Sequence, residues 1–432
     1  MISNSISKGI NGSPIIPGDK SISHRSIIIP SISNGISEVN NILKSDDVLH
    51  TLNAFKSMGV KIEEFENKLI IYGKGLNSLT QPKKALYLGN SGTSARLLTG
   101  LLSSQKFMSI LTGDRSLSKR PMKRISDPLT KMNANIDTTN GSLPLTIHES
   151  NLTNTSMKLK IPSAQIKSGI LLASLNTKGE TQIIENKITR DHTEIMLEAF
   201  GADIKTERGS SFKSIKITGQ KELTSKNIDV PNDLSSSAFF IVAALINNNS
   251  NVTLKNINNN PTRNGLIIAL KKMGANLSIH NERLSNNEKI CDIKVSSSNL
   301  KGCELGSEIA DLMIDEYPVL AVAASFASSP SIFRGLKELR VKESDRLKLI
   351  LLNLKNCGVN CSTIDDNLYI NPENSYIIKN NEIRTDFDHR IAMAFAVMGT
   401  KIGPLKIKDS ESINTSFPNF KYELNKLGGN VI

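Results

Sequence analysis

The chain has 432 residues, a formal net charge of +12 at pH 7, 38% hydrophobic and 4% aromatic residues, four cysteines and no tryptophan. That length exceeds one ordinary hydrophobic core, so two domains or two large lobes are expected, and the basic balance favours an anionic partner such as nucleic acid, a membrane surface or a phosphorylated metabolite. Sparse aromatics and basic residues spread along the whole chain weaken a base-stacking role, no apolar run approaches the roughly 18 residues of a membrane span, and the first twenty residues have neither a signal core nor a transit-peptide pattern.

The first element opens at "DKSISHRSIII" (19–29), where small polar and charged residues precede a nearly all-apolar helix that should be buried. A short β-like run follows, then an amphipathic helix that stops at Gly59 in "FKSMGV". The same unit returns five times. Its openings are "NSGTSARLLTGLL" (90–102), "SAQIKSGILLASL" (163–175), "DLSSSAFFIVAAL" (233–245), "DEYPVLAVAASFA" (315–327) and "DFDHRIAMAFAVMG" (386–399), and its stops are Asn133, Gly201, Gly274, Gly358 and Gly428. Gly and Asn tolerate the left-handed conformation that closes a helix. A period of roughly 70–85 residues is too long for a solenoid and suits a repeated supersecondary unit. After the third unit, "NIDVPNDLSSS" (227–237) breaks the pattern at Pro231 and Asn232 and marks an exchange between two halves of three units each.

Charge gathers at the helix entrances. Unpaired N–H groups and the helix dipole favour an anion there, yet Lys20 and Arg25, Arg96, Arg120, Lys342 with Arg346, and Arg390 stand at or near such ends. In "RVKESDRLKLILLNL" (340–354), Leu347, Ile350, Leu351 and Leu354 keep the spacing of one buried helix face, which sets Lys342, Glu343 and Arg346 on the loop and first turn. Pro121 is expected at a first helical position with Arg120 just outside it. "LGNSGTSAR" offers a loop able to cradle an anion on backbone N–H groups. Asp388 is expected to cap its helix, with His389 as a core or supporting residue. "DLMIDEYP" puts Asp311, Asp315 and Glu316 in apolar surroundings, which makes Asp315 a candidate base. Read singly, each entrance is equally an ordinary solvated helix start or turn. "PGDKSISHRS" lacks the Gly-Lys pair of a nucleotide P-loop, and no His sits at ligand spacing to the acids, so neither ATP or GTP nor a metal is expected. Cys291, Cys303, Cys357 and Cys361 form no CxxC pair and are expected to be buried, reduced thiols of a cytosolic protein.

Taken in this order, "PGDKSISHR", "LGNSGTSAR", "KRPM", "IPSAQIKSGILLASLNTKGETQIIENKITRDHTEIMLEAFGA", "DEYPVLAVAASFA", "LRVKESDRL", "DFDHRIAMAFAV" and "NTSFPNF" resemble the 5-enolpyruvylshikimate-3-phosphate synthase (3-phosphoshikimate 1-carboxyvinyltransferase) family over essentially the whole chain. The forms "SAQIKSGILLA", "RDHTEIML" and "DEYP" look like its second bacterial class. The resemblance implies an α/β fold, a two-lobed inside-out α/β barrel with three βαβαββ-type units per lobe. Lobe one would comprise residues 1–18 and 229–432, lobe two residues 19–228, with the active site in the cleft between them.

The implied reaction moves the enolpyruvyl group of phosphoenolpyruvate to the 5-hydroxyl of shikimate 3-phosphate and releases phosphate, in the shikimate pathway to chorismate and aromatic amino acids. Motif by motif, the resemblance assigns phosphoenolpyruvate to Lys20, Gly92, Arg120, Arg346 and Arg390. It assigns shikimate 3-phosphate to Lys20, Ser21, Arg25, Ser163, Ala164, Gln165, Arg190, Asp315 and Lys342. Glu343 would protonate the methylene carbon, Asp315 would take the hydroxyl proton, and Lys20 would give general acid/base help. No cofactor or metal is implied, and a cytoplasmic monomer without nucleic-acid or membrane partners is expected, its lobes closing around both anions. Thr415 stands where the first class has a lysine, so that lysine's role is not carried over. Gly92 is kept where a glyphosate-tolerant form has alanine, and Leu97 replaces a first-class proline. UDP-N-acetylglucosamine 1-carboxyvinyltransferase shares the fold and donor, but its loop cysteine has no counterpart in "GDRSLSKRPM". A basic nucleic-acid-binding protein is opposed by Asp315, Glu343 and Asp388, which would repel a polyanion.

Overall fold

Among the described residues, six successive passes of the chain each carry a buried helix, a strand and an amphipathic helix, and the strands assemble into six four-stranded sheets. The computed structural model describes residues 1–209, 212–373 and 376–432. Contacts divide them into unit 1 (Met1–Pro17, Pro231–Leu284 and Lys289–Ile432) and unit 2 (Gly18–Val230 with Ser285–Glu288).

In unit 2 the first pass has helices α1 (Lys20–Ser31) and α2 (Asp46–Ser57), the second α3 (Gly92–Ser103) and α4 (Lys123–Thr130), the third α5 (Ala164–Ser174) and α6 (His192–Ala199). In unit 1 the passes carry α7 (Leu234–Ile246) and α8 (Gly265–Lys272), then a one-turn α9 (Ser307–Ala310), α10 (Tyr317–Ser325) and α11 (Arg346–Asn356), then α12 (His389–Ile402) and α13 (Phe420–Lys426). The βαβαββ-type unit that the family resemblance implies is thus present. Each sheet begins with a short strand parallel to its neighbour, as Leu86–Tyr87 lies beside Ser109–Thr112, and ends in antiparallel pairs such as Ser109–Thr112, Ser142–His148 and Asn135–Thr139.

Three sheets borrow strands from far along the chain. Ile228–Asp229 supplies the parallel edge beside Asn34–Asn40 in unit 2, and Asn11–Gly12 does the same for Asn251–Asn258 in unit 1. The last sheet of unit 1 takes in Ile2–Asn4, which pairs with both Leu405–Ile407 and Asn430–Val431.

The helices that follow the charged entrances are buried, as their composition predicts: every residue of α7 and α10 lies inside. Each unit has its own apolar core. α3 and α5 touch backbone to backbone because Gly100 faces Gly169; a Cβ on Gly100 would stand 1.9 Å from the Gly169 carbonyl oxygen. All six expected stops take positive φ, from 68° at Asn133 to 111° at Gly428. Each closes with the same bond, as when the Val359 N–H reaches the Leu354 carbonyl at 2.9 Å.

One local expectation needs correction. Pro121 is not helical: α4 starts two residues later, at Lys123. The proline holds Arg120 extended (φ −76°, ψ 142°), and the Met122 N–H is taken by the Gly141 carbonyl at 2.8 Å, so the chain cannot turn earlier.

Candidate active site

In unit 1 three loops converge on one guanidinium. Arg346, the first residue of α11, is wholly buried. It donates from Nε to Asp388 Oδ2 (2.8 Å), from Nη1 to Asp315 Oδ1 (3.1 Å) and from Nη2 to Glu343 Oε2. Burial alone would lower its pKa, but Asp388, Glu343 and Asp315 outweigh that and raise it, so it is permanently charged. The geometry follows from sequence: Asp345 caps α11 through the Lys348 N–H at 3.0 Å, and Asp388 caps α12 through the Arg390 N–H at 2.9 Å. Asp388 is buried like Arg346, whereas the Asp315 and Glu343 side chains keep 15% and 24% of their surface exposed. The buried fork thus anchors two carboxylates that still reach the surface.

Around this fork, Lys342 Nζ lies 3.8 Å from Asp315 Oδ1, and Arg390 Nη1 lies 3.9 Å from Glu316 Oε1 and donates to the Asp315 carbonyl at 3.4 Å. Asp311, at the end of α9, is half-buried. Thr415 Oγ1 is 3.2 Å from His389 Nδ1. Three of the five N–H groups of Arg346 are engaged by carboxylates, which leaves two for a further acceptor.

In unit 2 the candidates fall into three groups. Lys20 opens α1, which Asp19 caps through the Ile22 N–H at 2.9 Å, and its Nζ sits 2.5 Å from Asp47 Oδ2 on the first turn of α2. Gly92 opens α3 below two arginines: a Cβ on it would lie 2.8 Å from Arg96 Nη1 and 2.9 Å from Arg120 Nη1. Arg96 donates to Gln165 Oε1 at 2.9 Å, and Gln165 Nε2 to Thr93 Oγ1 at 3.0 Å. Arg120 donates to Asn90 Oδ1, while its buried Nε has no hydrogen-bond partner among the described residues.

Arg25 forms the third group. It donates to Thr193 Oγ1 (2.6 Å), the Ser21 carbonyl (2.8 Å) and Ser168 Oγ (2.7 Å), all neutral acceptors. Burial pushes its pKa down to about 10, with the positive Arg190 adding to the effect against Glu194, Asp19 and Glu288. A bound anion would relieve that penalty. Ser163 caps α5, so Ser163, Ala164 and Gln165 stand together at that helix entrance, while half-buried Arg190 leads into α6.

Sequence reasoning passed over Asp47, Asn90, Ser168 and Thr193. Asp47 reads as an ordinary acid at a helix start, and only its contact with Lys20, 27 positions away, reveals more. It also passed over a buried network behind Arg25, where Lys167 meets Glu185 (2.9 Å) and Glu194 (2.8 Å) and Lys213 meets Glu194 (3.1 Å). Burying these charges is tolerable because each is paired. Among the described residues no group of three or more His, Cys, Asp or Glu is placed to hold a metal, and no helix is long and apolar enough to cross a membrane. All four cysteines are buried and unbridged, as expected.

The fold is that of the enolpyruvyl transferases: NikO from Streptomyces tendae superposes with a TM-score of 0.75, covering 99% of this chain and 97% of its own at 15% identity. A solved EPSP synthase from Acinetobacter baumannii is more similar, at 44% identity and TM-score 0.87 over 99% of this chain and 98% of that one. The family model for EPSP synthase (3-phosphoshikimate 1-carboxyvinyltransferase) matches residues 5–424. Relatives bearing the name 3-phosphoshikimate 1-carboxyvinyltransferase include those of Ruthia magnifica subsp. Calyptogena magnifica, 45% identical over 425 residues (98% of this chain, 96% of the relative), and Alkaliphilus metalliredigens, 42% identical over 427 residues (98% and 99%). The chain belongs to the EPSP synthase family and is a carboxyvinyl-transferring enzyme. These matches do not favour the nucleic-acid or UDP-N-acetylglucosamine readings.

Proposed function

We propose that this chain transfers the enolpyruvyl group of phosphoenolpyruvate to the 5-hydroxyl of shikimate 3-phosphate with Glu343, Asp315 and Lys20 moving the protons. One observation carries the assignment: Asp315 and Glu343 share the two terminal nitrogens of one buried guanidinium, Arg346. Two carboxylates fixed side by side suit a reaction that removes a proton from a hydroxyl and delivers one to a neighbouring carbon.

Asp315 takes the 5-hydroxyl proton as that oxygen attacks C2 of phosphoenolpyruvate, and Glu343 gives a proton to C3. The resulting tetrahedral intermediate carries a methyl group. Glu343 then takes a proton back from that methyl, the C2–O bond to phosphate breaks and phosphate leaves with the bonding electrons, Lys20 giving it a proton while Arg120 and Arg390 stabilise its charge; Asp315 returns the hydroxyl proton to solvent, from which Lys20 is reprotonated. Arg346 acts mainly by orienting the two carboxylates, and its remaining N–H groups complete the phosphoenolpyruvate contacts. Gly92 leaves room for the ligand and for the Arg96 and Arg120 termini. Arg25, with Ser21, Ser163, Ala164, Gln165, Arg190 and Lys342, takes shikimate 3-phosphate; the neutral ligand set of Arg25 supports an anion there. The second bacterial class, a cytoplasmic location and a monomeric state belong to the same reading.

The test is phosphate release from phosphoenolpyruvate, wild type beside Glu343→Gln, with shikimate 3-phosphate or UDP-N-acetylglucosamine as acceptor. Release only with shikimate 3-phosphate, falling about 100-fold or more in the variant, is expected. Equal release by the folded variant sinks the role of Glu343.

A further inference from the structure

One turn below Lys20 and Asp47, a second and uncharged link joins α1 to α2. Lys20 and His24 are four residues apart on α1, and Asp47 and Thr51 four apart on α2, so each pair shares a helix face. The outer rung is the Lys20–Asp47 ion pair at 2.5 Å, and the inner rung joins His24 Nδ1 to Thr51 Oγ1 at 2.8 Å. Thr51 Oγ1 lies 2.5 Å from Ser94 Oγ, which lies 2.7 Å from Ser91 Oγ. Ser91 is the cap of α3 and accepts from the Ser94 N–H at 3.1 Å. Hydroxyls and imidazole therefore run unbroken beneath three helix entrances, with all four residues at most 1% exposed.

The chain has a direction. Burial pushes the His24 pKa well below its ordinary value, Lys20 and Arg25 push the same way, and Asp19 opposes them without prevailing, so the ring is neutral and carries one N–H. Nε2 is buried without a hydrogen-bond partner among the described residues. A buried unpaired N–H is a rarer and costlier defect than an unfilled acceptor, so the proton belongs on Nδ1, which donates to Thr51. Thr51 then donates to Ser94 and Ser94 to Ser91.

We propose that His24 is a positioning residue: its Nδ1–H, donated into the Thr51–Ser94–Ser91 hydroxyl chain, holds the first turns of α1, α2 and α3 in register and with them Lys20 and Gly92. The functional part rests on the reading of Lys20 and Gly92 as phosphoenolpyruvate-side residues. His24 touches no substrate. An apolar side chain in its place removes the donor that starts the chain, and Thr51 can then turn its hydroxyl to the Asp47 carbonyl, 3.4 Å away.

The experiment uses the full chain with ¹⁵N-labelled histidine, the signal of His24 being identified among the six histidines by its loss in His24→Asn. The neutral Nδ1–H tautomer, unchanged from about pH 8 to about pH 6, is expected; an Nε2–H tautomer or a protonated ring at neutral pH overturns the proposal. In kinetics, His24→Leu should raise the KM for phosphoenolpyruvate about tenfold and that for shikimate 3-phosphate less than about twofold. His24→Asn, whose amide N–H falls near the place of Nδ1, should stay within about threefold of wild type. A folded His24→Leu with an unchanged phosphoenolpyruvate KM, or with both KM values rising together, overturns the proposal. If His24→Leu does not fold, the tautomer and the Asn variant decide, and an Asn variant as impaired as expected for Leu counts against it. Lys20→Met is the control: full activity there refutes the reading of Lys20, while the tautomer reports on the hydroxyl chain independently.

Discussion

Replacing Arg346 by methionine should destabilise unit 1 more than any single change at its carboxylates, and the structure sets the scale. The variant keeps the volume of the aliphatic stem but leaves Asp388, Asp315 and Glu343 facing one another without the guanidinium that joins them. Breaking a buried ion pair by removing one partner costs about 3–5 kcal/mol, because the surviving charge stays desolvated. Here the survivor that cannot escape is Asp388, fully buried, whereas Glu343, with 24% of its side chain exposed, turns to water. At about 2–4 °C per kcal/mol for a unit of this size, the melting transition should fall by roughly 6–20 °C. The same reasoning ranks the partners. Asp388→Asn removes the acceptor shared by Arg346 Nε and Ser344 Oγ (2.9 Å) and should cost about 3 kcal/mol, while the more exposed Glu343→Gln should cost about 1 kcal/mol and show its effect in turnover. Differential scanning calorimetry on the three variants reads this directly, two transitions being resolved if the units melt separately. An Arg346→Met protein melting within about 2 °C of wild type, or Glu343→Gln costing as much as Asp388→Asn, would refute the picture of a buried organising fork.

Two further outcomes are expected. Gly100→Ala, whose Cβ would enter the Gly169 carbonyl, should cost more than about 3 kcal/mol in urea unfolding, whereas Gly274→Ala, with nothing within 4 Å, should cost only the roughly 1 kcal/mol of a left-handed alanine; equal costs would deny the backbone contact between α3 and α5. Burial pushes the Cys291 and Cys357 thiols up to about 12 and Cys361 up to about 11, so above the ordinary thiol range near 9 the unfolded chain loses protons that the folded chain keeps, and stability declines as pH rises from there. Thiol titration with a disulfide reagent at pH 8 should find all four cysteines silent until the chain unfolds, and rapid labelling of any native thiol would contradict this.

The parts legible in the sequence were those that local chemistry writes into neighbouring residues. The six stops sit where Gly or Asn follows an amphipathic run, and the buried helices announce themselves by unbroken apolar stretches such as "AFFIVAALI". The helix cap at Asp388 also follows from short-range rules. What stayed hidden was pairing between distant positions. Nothing in "KSDDVLH" says that Asp47 meets Lys20, and nothing in "NNEKICD" says that the Glu288 carboxylate lies 2.6 Å from His192 Nδ1. Arg346 was singled out for its position, but its engagement by three carboxylates depends on Asp315 and Asp388, 31 and 42 residues away. The Pro121 misplacement has the same origin, since the Gly141 carbonyl that claims the Met122 N–H belongs to a hairpin later in the chain.

The strand at Ile2–Asn4 also fixes an order of events on the ribosome. Its partners, Leu405–Ile407 and Asn430–Val431, are made roughly 400 residues later. At about 5–20 residues per second, the N-terminal strand waits roughly 20–90 s before its sheet can exist. Unit 2, by contrast, has all but the short 285–288 segment in hand once Val230 has emerged. Unit 2 therefore has time to fold while much of unit 1 is still being made, and Ile2–Asn4 finds its place long after its own synthesis.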